Sequence, residues 1–124
     1  MNHITRSWNG KTIRQRADGY LSLTDMCQSE GKLFGDWFRL KDSQEFLEAL
    51  SDDMGIPITA QPQGVQPLIQ IVKGGKPKEQ GTWGHPDVGL ELARWLNKRF
   101  SIQCNRWVKE LLTEGTVSLK EEKS

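Results

Sequence analysis

Apolar residues recur at helical spacing through the last third of the chain: Val88, Leu92, Trp95 and Leu96, then Phe100, Cys104, Trp107, Val108 and Leu111. This predicts two consecutive helices, the first over Asp87–Leu96, each with one face turned inward. Pro86 suits the first helical position, where the missing N–H is not needed. Trp83 just before it is expected to be a buried anchor where a strand meets the helix. Upstream, Ile4–Trp8 and Lys11–Arg16 flank Asn9-Gly10, the preferred two-residue hairpin turn. Tyr20–Leu23 continues that hairpin after Asp18-Gly19. Thr24 is placed to cap a short helix over Asp25–Glu30, and Gly31 to stop it.

Phe34, Trp37 and Phe38 mark the inner face of a second helix over Phe34–Lys41. Asp42 with Glu45 makes a capping pair for a third, which turns Phe46, Leu47, Leu50 and Met54 inward and ends at Gly55. Ile56–Pro67, with three prolines and a glycine, reads as loop. Leu68–Val72 and Gln80–Trp83 read as paired strands around the exposed turn Lys73–Lys78. The whole is one domain over residues 1–115, followed by a polar tail over 116–124.

Composition narrows the function. No apolar run approaches the roughly 18 residues of a membrane span, and Met1–Arg6 lacks the apolar core of a signal peptide, so a cytoplasmic protein is expected. Cys27 and Cys104 are the only cysteines, and His3 and His85 the only histidines. None shows the paired spacing of a zinc site, so both thiols are expected to be buried and reduced, with no metal and no cofactor. The net charge of +1 is unevenly spread: +4 over residues 1–17, −6 over 18–53, +2 over 54–86 and +1 beyond. Any anion-binding surface must therefore be assembled from local clusters.

Two such clusters stand out. Three short helices over residues 25–54, with Gly31 between the first two, can form a helix–turn–helix unit, leaving Gly35, Asp36 and Arg39 exposed between Lys32 and Lys41. By its charges alone this is the solvated corner of a helical bundle, because Asp36 and Asp42 sit beside the bases. The turn with Lys73, Lys76 and Lys78 is the stronger signal: three ammonium groups lie within six residues on a Gly-Gly turn stiffened by Pro77. Arg14 and Arg16 share a strand face and are expected to pair with the acidic helices of residues 36–53. Arg94, Arg99, Arg106 and Lys109 read as solvated sides of the last helices. Asp36, Asp87 and Glu91 invite a search for acid–base chemistry, but Asp87 suits a helix's first turn and His85 reads as the residue that opens the helix. No enzyme is expected.

The wording of four blocks goes further than their pattern. "GTWGHPDVGLELARWLNKRFSIQCNRWVKELL" resembles the C-terminal half of the KilA-N domain, found in phage, large DNA viruses and some bacteria. Asp18-Gly19-Tyr20 through Thr24, and Gly31 through Leu40, resemble its N-terminal blocks, so the likeness covers residues 12 to 114. Gly74-Gly75 and Gln80–Trp83 are similar to the fungal APSES domains. The resemblance implies a mixed α+β domain of winged-helix type that binds double-stranded DNA in a regulatory role, of phage or bacterial origin. It places Lys32, Gly35, Arg39, Lys41 and Ser43 on a groove-facing helical edge and Gln70, Lys73, Lys76 and Lys78 on a wing. Arg39 is the candidate for a base edge, since its planar fork can bind guanine O6 and N7 together. The acidity of residues 18–53 keeps a second reading open, a protein-interaction domain of antirepressor type, or one that self-associates, on the same fold. Neither reading involves a membrane or a small-molecule substrate.

Overall fold

The computed structural model describes residues 3–61 and 64–123, with side chains between Ile4 and Leu111. The strands are β1 (His3–Trp8), β2 (Lys11–Arg16), β3 (Leu21–Ser22), β4 (Ile69–Val72) and β5 (Gly81–Gly84); the helices are α1 (Leu23–Ser29), α2 (Phe34–Phe38), α3 (Lys41–Met54), α4 (Pro86–Leu96) and α5 (Lys98–Lys123). All strand pairings are antiparallel, in the order β1-β2-β3-β5-β4. The domain is therefore α+β. The polar tail expected over 116–124 lies beyond the described side chains.

Asn9 and Gly10 both take positive φ, 52° and 72°, in the turn that lets β1 and β2 pair over their whole length. This is the left-handed pair a two-residue hairpin demands, and it is why Asn-Gly stands there. The short strand β3 joins the hairpin to β5, with Leu21 opposite Gly84 and Ser22 opposite Trp83.

Four local expectations are corrected. Ser22, not Thr24, caps α1: its Oγ accepts from the Asp25 N–H at 3.2 Å. Thr24, now inside the first turn, turns its Oγ1 to the sheet and accepts from the Thr82 N–H at 3.0 Å. The helix α2 stops at Phe38, three residues early, because Leu40 is extended and starts α3 at Lys41. Asp42 consequently lies within α3 rather than at its cap, and the Gln44 amide donates to the Phe38 carbonyl left open at the break. Met54, expected inside, is 38% exposed, since the buried stripe of α3 does not reach its last turn. Gly55 ends that helix as expected.

The core lies between the helices and the sheet and contains Ile13, Leu21, Leu23, Met26, Leu47, Leu68, Val88, Leu92 and Phe100. The five tryptophans fall on β1, α2, β5, α4 and α5, one to each. Trp83 is buried as expected, 1% exposed, but it contacts the Arg14 and Arg16 guanidinium groups and the Glu79 carbonyl, and it lies outside the core cluster that holds the α4 residues. Cys27 and Cys104 are free and buried, and burial pushes their thiols up to about 11 and about 12. Neither is a thiolate near neutral pH, so neither is poised to react.

Candidate nucleic-acid interface

The connection between β4 and β5, the expected wing, is a loop of eight residues, Lys73–Gln80, containing a 3-10 turn at Pro77–Glu79. Lys73, Lys76 and Lys78 are all exposed, and none forms an ion pair among the described residues. The backbone beneath them is tied down. Arg14 Nη1 donates to the carbonyls of Pro77 (3.3 Å), Lys78 (3.1 Å) and Gln80 (2.9 Å). Trp83 Nε1 donates to the carbonyl between them, that of Glu79, at 3.0 Å. Gln80 Nε2 reaches back to the Gly75 carbonyl at 3.0 Å.

Arg14 is held in turn by Asp25 on α1. Its Nε lies 2.8 Å from Oδ2 and its Nη2 3.1 Å from Oδ1, while its backbone N–H donates to Oδ2 at 2.9 Å. The guanidinium lies over the Trp83 ring, 5.1 Å from the centroid. Gly81 makes this crossing possible. Its φ is +125°, and a Cβ there would stand 3.3 Å from both Arg14 Nη2 and Thr24 Oγ1, so a side chain would be strained by backbone and neighbours alike.

Arg16 and Gln70 belong to a neighbouring network. Arg16, 6% exposed, donates to Asp18 and to Gln70 Oε1 and lies over the Tyr20 ring. Gln70 is thus a structural acceptor, with its side chain turned to Arg16. Desolvation pulls the Asp18 carboxyl upward, but hydrogen bonds from Arg16, Gln66 and the Tyr20 N–H outweigh it and leave the pKa lowered. The expected pairing of Arg14 and Arg16 with the helices of residues 36–53 is therefore corrected: their partners are Asp25 and Asp18. Nothing in the sequence singles out Asp25 from the other eight acids of residues 18–53; only the fold brings it beside β2.

The helical edge is built differently. Arg39, with 72% of its side chain exposed, bonds Asp36 at 2.8 Å and its own Gly35 carbonyl at 3.1 Å. Lys41, 89% exposed, faces Glu45 at 3.9 Å. Lys32 is exposed, with its ammonium 4.6 Å from the Trp95 ring centroid. Gly35 is exposed, and a Cβ there would meet Arg39 Nη2 at 3.8 Å. Ser43 is buried, 4% exposed, in the wall of a cleft of about 340 Å³ that also involves Trp37 and Trp95. Leu33 and Leu40 stand out on the same edge, 70% and 39% exposed. The two surfaces lie at the two ends of α1: Asp25 in its first turn holds Arg14 against the wing, and Lys32 and α2 follow its last.

At the start of α4, His85 Nδ1 accepts from the Asp87 N–H at 3.0 Å and so caps the helix. Desolvation lowers the imidazole pKa, against the opposing pull of Asp87 and Asp18. Asp87 falls in the first turn, and Glu91 pairs with Arg94 at 3.4 Å. Arg99, Arg106 and Lys109 are exposed, as expected. Among the described residues, no group of three or more His, Cys, Asp or Glu side chains is arranged to hold a metal ion, and no helix is long and apolar enough to cross a membrane.

An antiparallel sheet joined to a run of short helices defines the class as an α+β domain. The KilA-N domain model matches residues 6–114, and the chain belongs to the KilA-N domain family. It is similar to three proteins of Acanthamoeba polyphaga mimivirus. "KilA-N domain-containing protein L4" is 26% identical over 110 residues, which is 88% of this chain and 23% of that protein. "KilA-N domain-containing protein L37" is 26% identical over 104 residues, 78% and 20% of the two chains. "KilA-N domain-containing protein L32" is 29% identical over 85 residues, 68% and 21%. The chain thus spans only about a quarter or less of the length of these relatives. No solved structure matches it significantly.

Proposed function

We propose that this domain binds double-stranded DNA without performing chemistry on it, in a regulatory role and in the manner of a winged helix. The β4–β5 wing supplies phosphate contacts, and the α2 edge carries Arg39 toward the bases. The observation that supports this reading is the wing itself: three exposed lysines without ion-pair partners among the described residues, on a backbone held by side-chain donors. Each lysine that meets a phosphate releases condensed counterions, so affinity should fall with salt. The exposed carboxylates farther along α3, Glu48, Asp52 and Asp53, would be repelled by the duplex and turn away from it.

Fluorescence anisotropy with a labelled duplex across a salt series tests the proposal. Three wing contacts should give a slope of log affinity against log salt of about −2.7, from roughly 0.9 per phosphate. Changing Lys73, Lys76 and Lys78 together to Ala should flatten it and weaken binding to all sequences alike. Salt-independent binding, or full binding by the triple variant, would overturn the proposal. A second reading, a protein-interaction domain on the same fold, draws on the helical edge, where the cations already face carboxylates and Leu33 and Leu40 stand exposed.

A further inference from the structure

We infer that Arg14, fixed by Asp25, is the positioning residue of the DNA interface: it sets the wing's shape and its place relative to α1, and does not touch DNA itself. The inference rests on the proposed role of the wing lysines. Its basis is the number of bonds one guanidinium makes. Nε and Nη2 are taken by the two Asp25 oxygens, Nη2 also lies 3.3 Å from Ser22 Oγ, and Nη1 faces three wing carbonyls. A guanidinium has five N–H donors, and this one has six acceptors around it, leaving none for a phosphate. Only 20% of its side chain is exposed.

The geometry explains why the wing can present lysines at all. A hairpin loop of this length has few ladder bonds of its own, and loops of this kind open locally at little free energy. Here the four consecutive carbonyls from Pro77 to Gln80 are all engaged from beneath, three by Arg14 and one by Trp83. Charge-assisted bonds of this sort are roughly twice as strong as neutral ones. Because Asp25 also lies in the first turn of α1, the same side chain fixes the spacing between the wing and the helices that follow. Lysine could keep the ion pair with Asp25, but a single ammonium with three donors cannot span the carboxylate and three carbonyls at once.

Two variants test this, Arg14→Lys and Asp25→Asn, each compared with wild type by hydrogen exchange in the free protein and by the salt series on duplex DNA. Arg14→Lys should speed exchange of the wing amides about tenfold or more while amides of α4 stay protected. Its salt slope should flatten from about −2.7 toward −1, although every wing lysine is still present. Asp25→Asn should shift both in the same direction, by less. Two results would overturn the inference differently. If the wild type binds through its wing lysines, but neither variant alters slope or wing exchange, the inference alone falls. If replacing the three lysines leaves wild-type binding intact, the DNA reading falls and the inference with it.

Discussion

In the wing, Lys73, Lys76 and Lys78 stand exposed over a backbone tied from beneath by Arg14 and Trp83. Along the α2–α3 edge, Arg39 and Lys41 are equally exposed, yet each faces a nearby carboxylate, and Lys32 leans on Trp95. Both regions carry three cations. The wing keeps its order by burying its anchor and leaving its charges open, whereas the edge spends its charges on its own surface. A count of basic residues cannot distinguish the two; the location of the ordering bonds does.

The largest effect tests the shared foundation. Trp83 on β5 is buried under Arg14 and Arg16, and its indole N–H holds the wing. Trp83→Ala should destabilise the domain by about 3–5 kcal/mol, read as a fall in the urea midpoint. A near-neutral result would mean the wing does not rest on this residue.

Arg39 sharpens the contrast in function. If the wing supplies affinity and the edge supplies choice, Arg39→Ala should narrow the difference between a selected site and random DNA by about 1–3 kcal/mol. Its effect on random DNA should be small. Competition titrations against both duplexes measure it, and equal losses on the two would make Arg39 one more phosphate contact.

Acid should weaken the common base instead of either set of charges. The fold lowers the His85 pKa below its ordinary 6.5, so it favours the neutral ring that accepts the Asp87 N–H. Above 6.5 the ring is neutral in both folded and unfolded chains and the cap contributes in full. As the pH falls, the unfolded chain takes up the proton first, and stability declines down to the folded pKa. Loss of a helix cap is worth about 1 kcal/mol. His85→Asn keeps an acceptor without a titration, so its urea midpoint should vary less between pH 8 and pH 5 than that of the wild type.

Much of the fold was legible because it is written in local rules. Asn9-Gly10 dictates its hairpin, Pro86 opens its helix, Gly55 closes another, and the apolar spacing of α4 and α5 marks their inner faces. The α1 cap was misplaced by two residues because Ser22 and Thr24 are both good caps, and only the sheet decides which hydroxyl is needed elsewhere. The early end of α2 was hidden for a similar reason: nothing in Phe34–Lys41 forbids helix, and the break arises where Leu40 turns extended. Among the site residues, the exposure of the wing lysines followed from composition. The burial of Ser43 and the capture of Gln70 by Arg16 did not, since the first depends on tertiary packing and the second on a partner more than 50 residues away. Arg14 was the hardest to read. Half of its acceptors are backbone carbonyls, which carry no sequence signal.

The smallest expected effect decides between the two readings of the edge. Arg39–Asp36 and Lys41–Glu45 are exposed pairs at i,i+3 and i,i+4 spacing, worth about 0.2–0.5 kcal/mol each. Asp36→Asn and Glu45→Gln should therefore leave stability nearly unchanged. A phosphate can displace so weak a partner, but the displaced carboxylate stays nearby and repels the same phosphate. Removing it should steepen the salt slope by up to about 0.9 for each cation released, with tighter binding at low salt. Glu79→Gln in the wing should do less, because Glu79 forms no ion pair among the described residues. If Asp36→Asn and Glu45→Gln change neither slope nor affinity while the wing lysines remain essential, the edge does not lie on DNA. Leu33 and Leu40 would then mark it as a surface for a protein partner.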